Sequence, residues 1–150
     1  MDKNKFEQLN PYIEKNDEMK TLTGYSPVVL YEDACAKAKE QGKIIVVSEP
    51  TLLMIDIDSS EAFLEYLTRL PTVEDHIEYV TEQMVTSFSG GSHRHIYIRM
   101  KSRMSVREQC AIQLYLCSDP VKEMLSLILE KKGDEHPILF FEKLDFTLDI

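Results

Sequence analysis

Positive charge is scarce in this chain: 17 lysines and arginines stand against 26 aspartates and glutamates, a formal net of −9. A protein that grips a polyphosphate duplex unaided usually shows the opposite balance, so strong independent DNA binding is not expected. No apolar run is long enough to cross a membrane and no secretory leader opens the chain, which predicts a soluble, cytoplasmic protein with no membrane partner. Cysteine is sparse as well. Cys35, Cys110 and Cys117 are odd in number and lack metal-ligand spacing, which argues for free thiols and against a zinc or disulfide framework. Neither His76 nor His136 pairs with a cysteine or carboxylate at a zinc spacing. Repeats and low-complexity segments are absent too. The 43% hydrophobic content suffices for one sizeable core, so residues 1–150 read as a single domain, with an N-terminal helical extension over 1–42 and a core over 43–145.

Against these absences, two segments stand out. In Leu52 to Asp58, strand alternation puts Asp56 and Asp58 on one face and Leu53, Ile55 and Ile57 on the other. Aspartate is disfavoured in strands, and two like charges on one face repel unless a cation lies between them. Mg²⁺ or Mn²⁺ meets that need. In Arg94 to Met100, preceded by Ser89-Gly90-Gly91-Ser92-His93, the same alternation aligns His93, His95, Tyr97 and Arg99 opposite Ile96, Ile98 and Met100.

The order of elements predicts that these two polar stripes meet. Ser59 and Ser60 cap a helix that runs to about Leu70, where Pro71 stops it. A polar, helical connection is expected over Glu74 to Glu82, then a strand over Met84 to Phe88, a turn at Gly90-Gly91, and a hairpin partner over Arg94 to Met100. Ser105 to Glu108 matches a capping box before a helix reaching Leu116. Asp119-Pro120 opens another helix, Gly133 ends it, and Pro137 to Phe141 is a short strand. Upstream, Met1 to Lys20 reads as an arm or frayed helix and Glu32 to Gln41 as a helix ended by Gly42. Ile44 to Val47 is a strand expected to pair with Leu52 to Ile57. The whole predicts an α+β fold of ferredoxin-like, RNA-recognition-motif-like order β-α-β-β-α-β, with helices on one face and a small N-terminal α/β extension. Asp56, Asp58, His95 and Tyr97 are then expected on an open face, where Tyr97 is free to stack on a base.

A hydrophobic strand ending in Asp56-x-Asp58, followed by Ser89-Gly90-Gly91 and His95-x-Tyr97-x-Arg99, resembles the archaeo-eukaryotic primase superfamily, which includes primase-polymerases of viruses and mobile elements. The resemblance covers roughly residues 43 to 145. It implies that Asp56 and Asp58 bind a divalent metal and that His95 contacts the phosphates of a nucleoside triphosphate. A carboxylate on a later strand completes the metal site: Glu142, with Asp145 as the alternative. Ser89, Gly90, Gly91, His93, Tyr97 and Arg99 then line the nucleotide. His93 stands where the family has a small residue, and a glutamate, which also ligates Mg²⁺, replaces an aspartate. Gly91-Ser92-His93 also satisfies the short motif, but His95 sits better within the strand.

The resemblance implies nucleotidyl transfer in DNA replication or primer synthesis, with Mg²⁺ or Mn²⁺ as cofactor. Arg94, Arg99, Lys101, Arg103 and Arg107 form the one concentrated basic stretch and read as a nucleotide or template path. The acidic remainder predicts that template is held weakly or through a partner such as a helicase or another replication protein. Two alternatives stay open: an inactive module of this fold that binds nucleotide, nucleic acid or protein, and a metal-dependent phosphohydrolase.

Overall fold

A computed structural model describes residues 13–14, 26–27, 31–84 and 93–148. Within them the chain is a mixed α+β protein with small antiparallel sheets and four α-helices. Ile13–Glu14 (β1) and Ser26–Pro27 (β2) form a two-residue antiparallel pair. Most of the arm expected over Met1 to Lys20, all but Met84 of the strand expected over Met84 to Phe88, the turn expected at Gly90-Gly91, and the site residue Ser89 lie outside the described residues. None of the described helices is long and apolar enough to cross a membrane.

Helix α1, Tyr31–Glu40, ends at Gly42, whose φ of +67° is the left-handed conformation that glycine adopts without steric cost. Strand β3, Lys43–Val47, follows. It does not pair with β4, Leu52–Ile57, as expected, but runs antiparallel to the last strand, β7, Leu139–Lys143. Alternation explains how this small sheet packs. Ile45, Leu139 and Phe141 meet Ala34 and Ala38 of α1, while Val46 and Phe140 turn to the other side.

After β4, Ser59 accepts a hydrogen bond from Ala62 N and caps α2, Ser60–Arg69. Pro71 ends the α-helical spacing but not the coil, which tightens into a 3₁₀ segment over Leu70–His76. The helical connection expected to run to Glu82 is therefore cut short. From Ile77 the chain is strand β5, Ile77–Met84, paired along its length with β6, Arg94–Met100. Glu78 and Glu82 misled the pattern because β5 is the outer strand of the sheet β4-β6-β5, where polar side chains stand in water. The capping box at Ser105 and Glu108 opens α3, Val106–Tyr115, and Asp119 with Pro120 opens α4, Pro120–Lys131. Gly133, at φ +84°, lies just beyond the end of α4.

The β4-β6-β5 sheet has no open face over β4 and β6. One side buries Leu53, Ile55, Ile57, Ile96 and Ile98 against Tyr66, Leu116 and the partly buried Phe63. The side expected to be open buries Leu52, Met54 and Tyr97 against Cys110, Ile138 and Phe140. Burying an aromatic or large aliphatic side chain contributes roughly 1.5–3 kcal/mol, so covering Tyr97 and Met54 with the β3–β7 layer outweighs leaving that face to a ligand.

Why β3 stays away from β4 is visible in the hydrogen bonds along the free edge of β4. Leu52 O accepts from Gln109 Nε2 (2.9 Å), Met54 N donates to Gln113 Oε1 (2.8 Å), and Met54 O accepts from Lys122 Nζ (2.6 Å). Asp56 N donates to Ser118 Oγ (3.0 Å), and Asp56 O accepts from Asp119 N (2.8 Å). Side chains of α3, α4 and their connection thus occupy the positions a neighbouring strand would take. Glu123, fully buried, ties them together by accepting from Gln113 Nε2 (2.7 Å), Ser118 Oγ (2.8 Å) and Lys122 Nζ (2.8 Å). Glu123→Ala strands all three donors and is expected to cost roughly 3–5 kcal/mol in denaturant unfolding. Glu130→Ala, which removes only a loose pair with Arg107, is expected to cost less than about 1 kcal/mol. Similar losses in the two variants would refute the role given to Glu123.

Candidate metal centre

The antiparallel register of β4 and β6 sets Asp56 directly opposite His95, with His93 just before β6. Asp56 Oδ1 accepts from His93 Nε2 at 2.5 Å and lies 3.7 Å from His95 Nε2. The other ring nitrogen of His95, Nδ1, is hydrogen-bonded to Glu142 Oε1, delivered by β7. Phe140, two residues earlier and so on the same face of β7, stacks on the His95 ring with centroids 3.9 Å apart. His95 is therefore held on two sides, by Glu142 and by Phe140. Among the described residues, the group of His, Cys, Asp or Glu side chains with ligand atoms all within 4.8 Å of one another is Asp56, His93 and His95. One carboxylate oxygen and two imidazole nitrogens at that spacing fit a divalent cation.

Charge around the cluster follows from these contacts. Burial pushes the Asp56 carboxyl up, but the His93 hydrogen bond and the charges of His95, His93 and Lys122 outweigh it and hold it below the ordinary carboxylate value. His93 is raised by its bond to Asp56, against burial, with the charges of Asp56, Asp58 and Asp119 adding to the effect. Asp119 is pushed up to about 6 by burial and by Asp56 and Asp58, against its bond from Val121 N and the charge of Lys122. Asp58 and Asp119 therefore stand in electrostatic reach of His93, outside the three-ligand group.

Several expected site residues sit elsewhere. Asp58 is exposed just past the end of β4, so strand alternation no longer governs its direction. Of the two alternative carboxylates, Glu142 is buried against His95, whereas Asp145 is exposed. Tyr97 is fully buried and packed on Phe140 and Phe146, so it offers no stacking surface to a base. Its hydroxyl is buried toward Glu142, and burial together with the charge and hydrogen bonding of Glu142 holds it well above the ordinary phenol value. Arg99 lies at the far end of β6, opposite Leu52, and binds Glu49 (2.6 Å) and Thr51 (2.8 Å).

Most of the basic stretch is likewise engaged locally, while Arg103 is exposed. Arg94 pairs with Glu82 and sits over the Phe63 ring at 3.8 Å, Lys101 donates to Asp75 O (2.9 Å), and Arg107 lies 3.8 Å from Glu130. Sequence reasoning missed three contributors: Phe140, Asp119 and Lys122, whose Nζ lies 4.7 Å above Phe140. Asp119 was legible as a helix cap, but nothing in its spacing tied it to Asp56.

The chain matches no protein-family model, no curated protein and no solved structure. The site therefore has to be read from its own geometry.

The His93–Asp56 pair makes stability depend on pH. His93, raised when folded, contributes stability that is complete below its unfolded value of 6.5 and is lost as pH rises through the folded value. Asp56, lowered when folded, contributes stability present above its unfolded value of 3.8 and lost as pH falls through the folded one. Ionisation of Asp119 also costs stability as pH rises, but between 3.8 and about 6. Thermal melts are thus expected to show Tm falling as pH rises above 6.5 and through the raised folded value, with the fall flattened in His93→Gln. A His93→Gln profile parallel to wild type over that range would refute the pair.

Proposed function

We propose that this chain is a metal-dependent nucleotidyltransferase of the primase-polymerase kind, built on an RNA-recognition-motif-like core. The observation that carries the reading is the contact chain Asp56–His95–Glu142, in which residues from three separate strands converge on one imidazole. The resemblance in the sequence names those same three positions. Supporting the core is the strand order β4-β6-β5, with α2 between β4 and β5 and α3 and α4 after β6. The final strand departs from that plan by pairing with β3, but it still brings Glu142 to the histidine.

Asp56, His93 and His95 are the residues that would hold the divalent ion, and of the two expected ions Mn²⁺ suits this mixed oxygen and nitrogen set better than Mg²⁺. Such an ion neutralises triphosphate charge and lowers the pKa of an attacking hydroxyl. The chain's own groups do the rest. Asp56 is held ionised by its neighbours, as a ligand must be. His93 has 23% of its side chain exposed at the mouth of the cluster, where its N–H can turn to a phosphate oxygen. His95, pinned by Glu142 and Phe140, keeps its ring fixed while substrate enters. Asp58 adds a second exposed carboxylate beside the mouth. With Arg94 and Arg99 engaged in local pairs and a net charge of −9, template is held weakly and supplied by a partner such as a helicase or another replication protein.

One observation favours a second reading, a nucleotide-binding module that has lost transfer: Arg94 and Arg99 are both committed to internal glutamates. Primer-extension assays with Mn²⁺ or Mg²⁺ and labelled nucleoside triphosphates separate the two. Wild type is expected to extend a primer, and Asp56→Asn to lose at least about 100-fold in rate. Undiminished extension by Asp56→Asn would overturn the assignment. Nucleotide binding without extension by wild type would establish the second reading instead.

A further inference from the structure

We infer that the Asp56 cluster is a transition-metal site with two imidazole ligands, His93 and His95, and that Glu142 orients His95 from behind instead of binding the ion. This deepens the proposed function at the same site. It rests on that site being a metal centre, not on nucleotidyl transfer.

The argument starts from the two nitrogens of His95. With Nδ1 bonded to Glu142, Nε2 is the His95 nitrogen that can offer a lone pair to an ion. It faces Asp56 Oδ1 at 3.7 Å, too far for a direct hydrogen bond. The gap between these two atoms can take a cation, which would stand in place of a proton on Nε2. The spacing suits one, since two ligands about 2.1 Å from a tetrahedral ion are about 3.4 Å apart. His93 Nε2, hydrogen-bonded to the same carboxylate oxygen at 2.5 Å, supplies the third ligand atom once the ion displaces its proton to solvent and the two atoms move apart.

Glu142 has the role that carboxylates commonly take behind metal-bound histidines, fixing the tautomer and the ring plane. Phe140 stacked on the other side holds the ring against rotation. Among the described residues, neither Glu142 nor Asp58 belongs to a group of three close ligand atoms. Mg²⁺ prefers an all-oxygen, octahedral shell, whereas imidazole suits the later first-row ions, with Mn²⁺ accepting both donor types. One oxygen and two nitrogens therefore select a transition metal over Mg²⁺.

Calorimetric titration of the full chain with Zn²⁺ and with Mn²⁺, in excess Mg²⁺, tests the assignment. One ion per chain is expected, undisturbed by Mg²⁺, lost in Asp56→Asn and in His93→Ala, and retained in Asp58→Asn. Glu142→Gln is expected to weaken binding by about 10–100-fold without abolishing it. Circular dichroism of each variant separates loss of ligand from loss of fold. Pulsed electron paramagnetic resonance of the Mn²⁺-loaded wild type supplies a readout that needs no variant, with imidazole nitrogen couplings expected. An all-oxygen shell, full displacement by Mg²⁺, or unchanged affinity in a folded His93→Ala variant would overturn the inference. Transition-metal binding without primer extension would leave it standing while sinking nucleotidyl transfer.

Discussion

The arrangement of this molecule depends on how the free edge of β4 is satisfied. A central strand with buried side chains on both faces cannot leave its outer N–H and C=O groups unpaired, because each would lose its bond to water without replacement. Here Gln109, Gln113, Ser118, Asp119 and Lys122 supply the partners, and buried Glu123 organises three of them. A charged network in a core contributes little net stability by itself. Its effect is selective: with the edge of β4 occupied, β7 has to find another partner, and β3 is available.

That displacement shapes the site. Released from the main sheet, β7 lies across its face with alternate residues divided between two tasks. Leu139 and Phe141 pack toward α1, while Phe140 and Glu142 reach His95. The same layer buries Tyr97 and closes the surface on which a single-stranded nucleic acid could otherwise lie. Access to Asp56 is left at the β4–β6 end, near His93, Asp58 and Asp119. The positive charge of Arg94, Arg99 and Lys101 is not gathered there, because these side chains are bound to glutamates or a backbone carbonyl along the way.

Cys117 shows how closely this end of the fold is determined. It is the one non-glycine residue with positive φ among the described residues, at 69°. A left-handed residue with a side chain costs of order 1–2 kcal/mol and persists when its surroundings over-determine it. The two residues that follow, Ser118 and Asp119, are those bonded to the backbone of Asp56. The turn is thus held by the contacts that fix the strand bearing the central carboxylate.

Local signals in the sequence were sufficient for the helices. Ser59, the Ser105–Glu108 box, Asp119-Pro120, Gly42 and Gly133 each act within a few residues, so the boundaries of α1 to α4 were legible from them. Alternation likewise determined which side chains of β4 and β6 share a face, and put Asp56 and His95 on the same one, whereas their direct pairing came from the strand register. Whether that face met water or core was not a local matter. It depended on β7 and the chain after it, remote in sequence, and so Tyr97 became core. The limits of β5 were lost for a related reason, since backbone pairing with β6 stabilises a strand whose side chains are mostly exposed. Tertiary structure alone set His93 on Asp56, Glu142 behind His95, and Asp119 and Lys122 near both, because the distances between residues far apart in the chain are determined by packing and by the need to satisfy one buried edge.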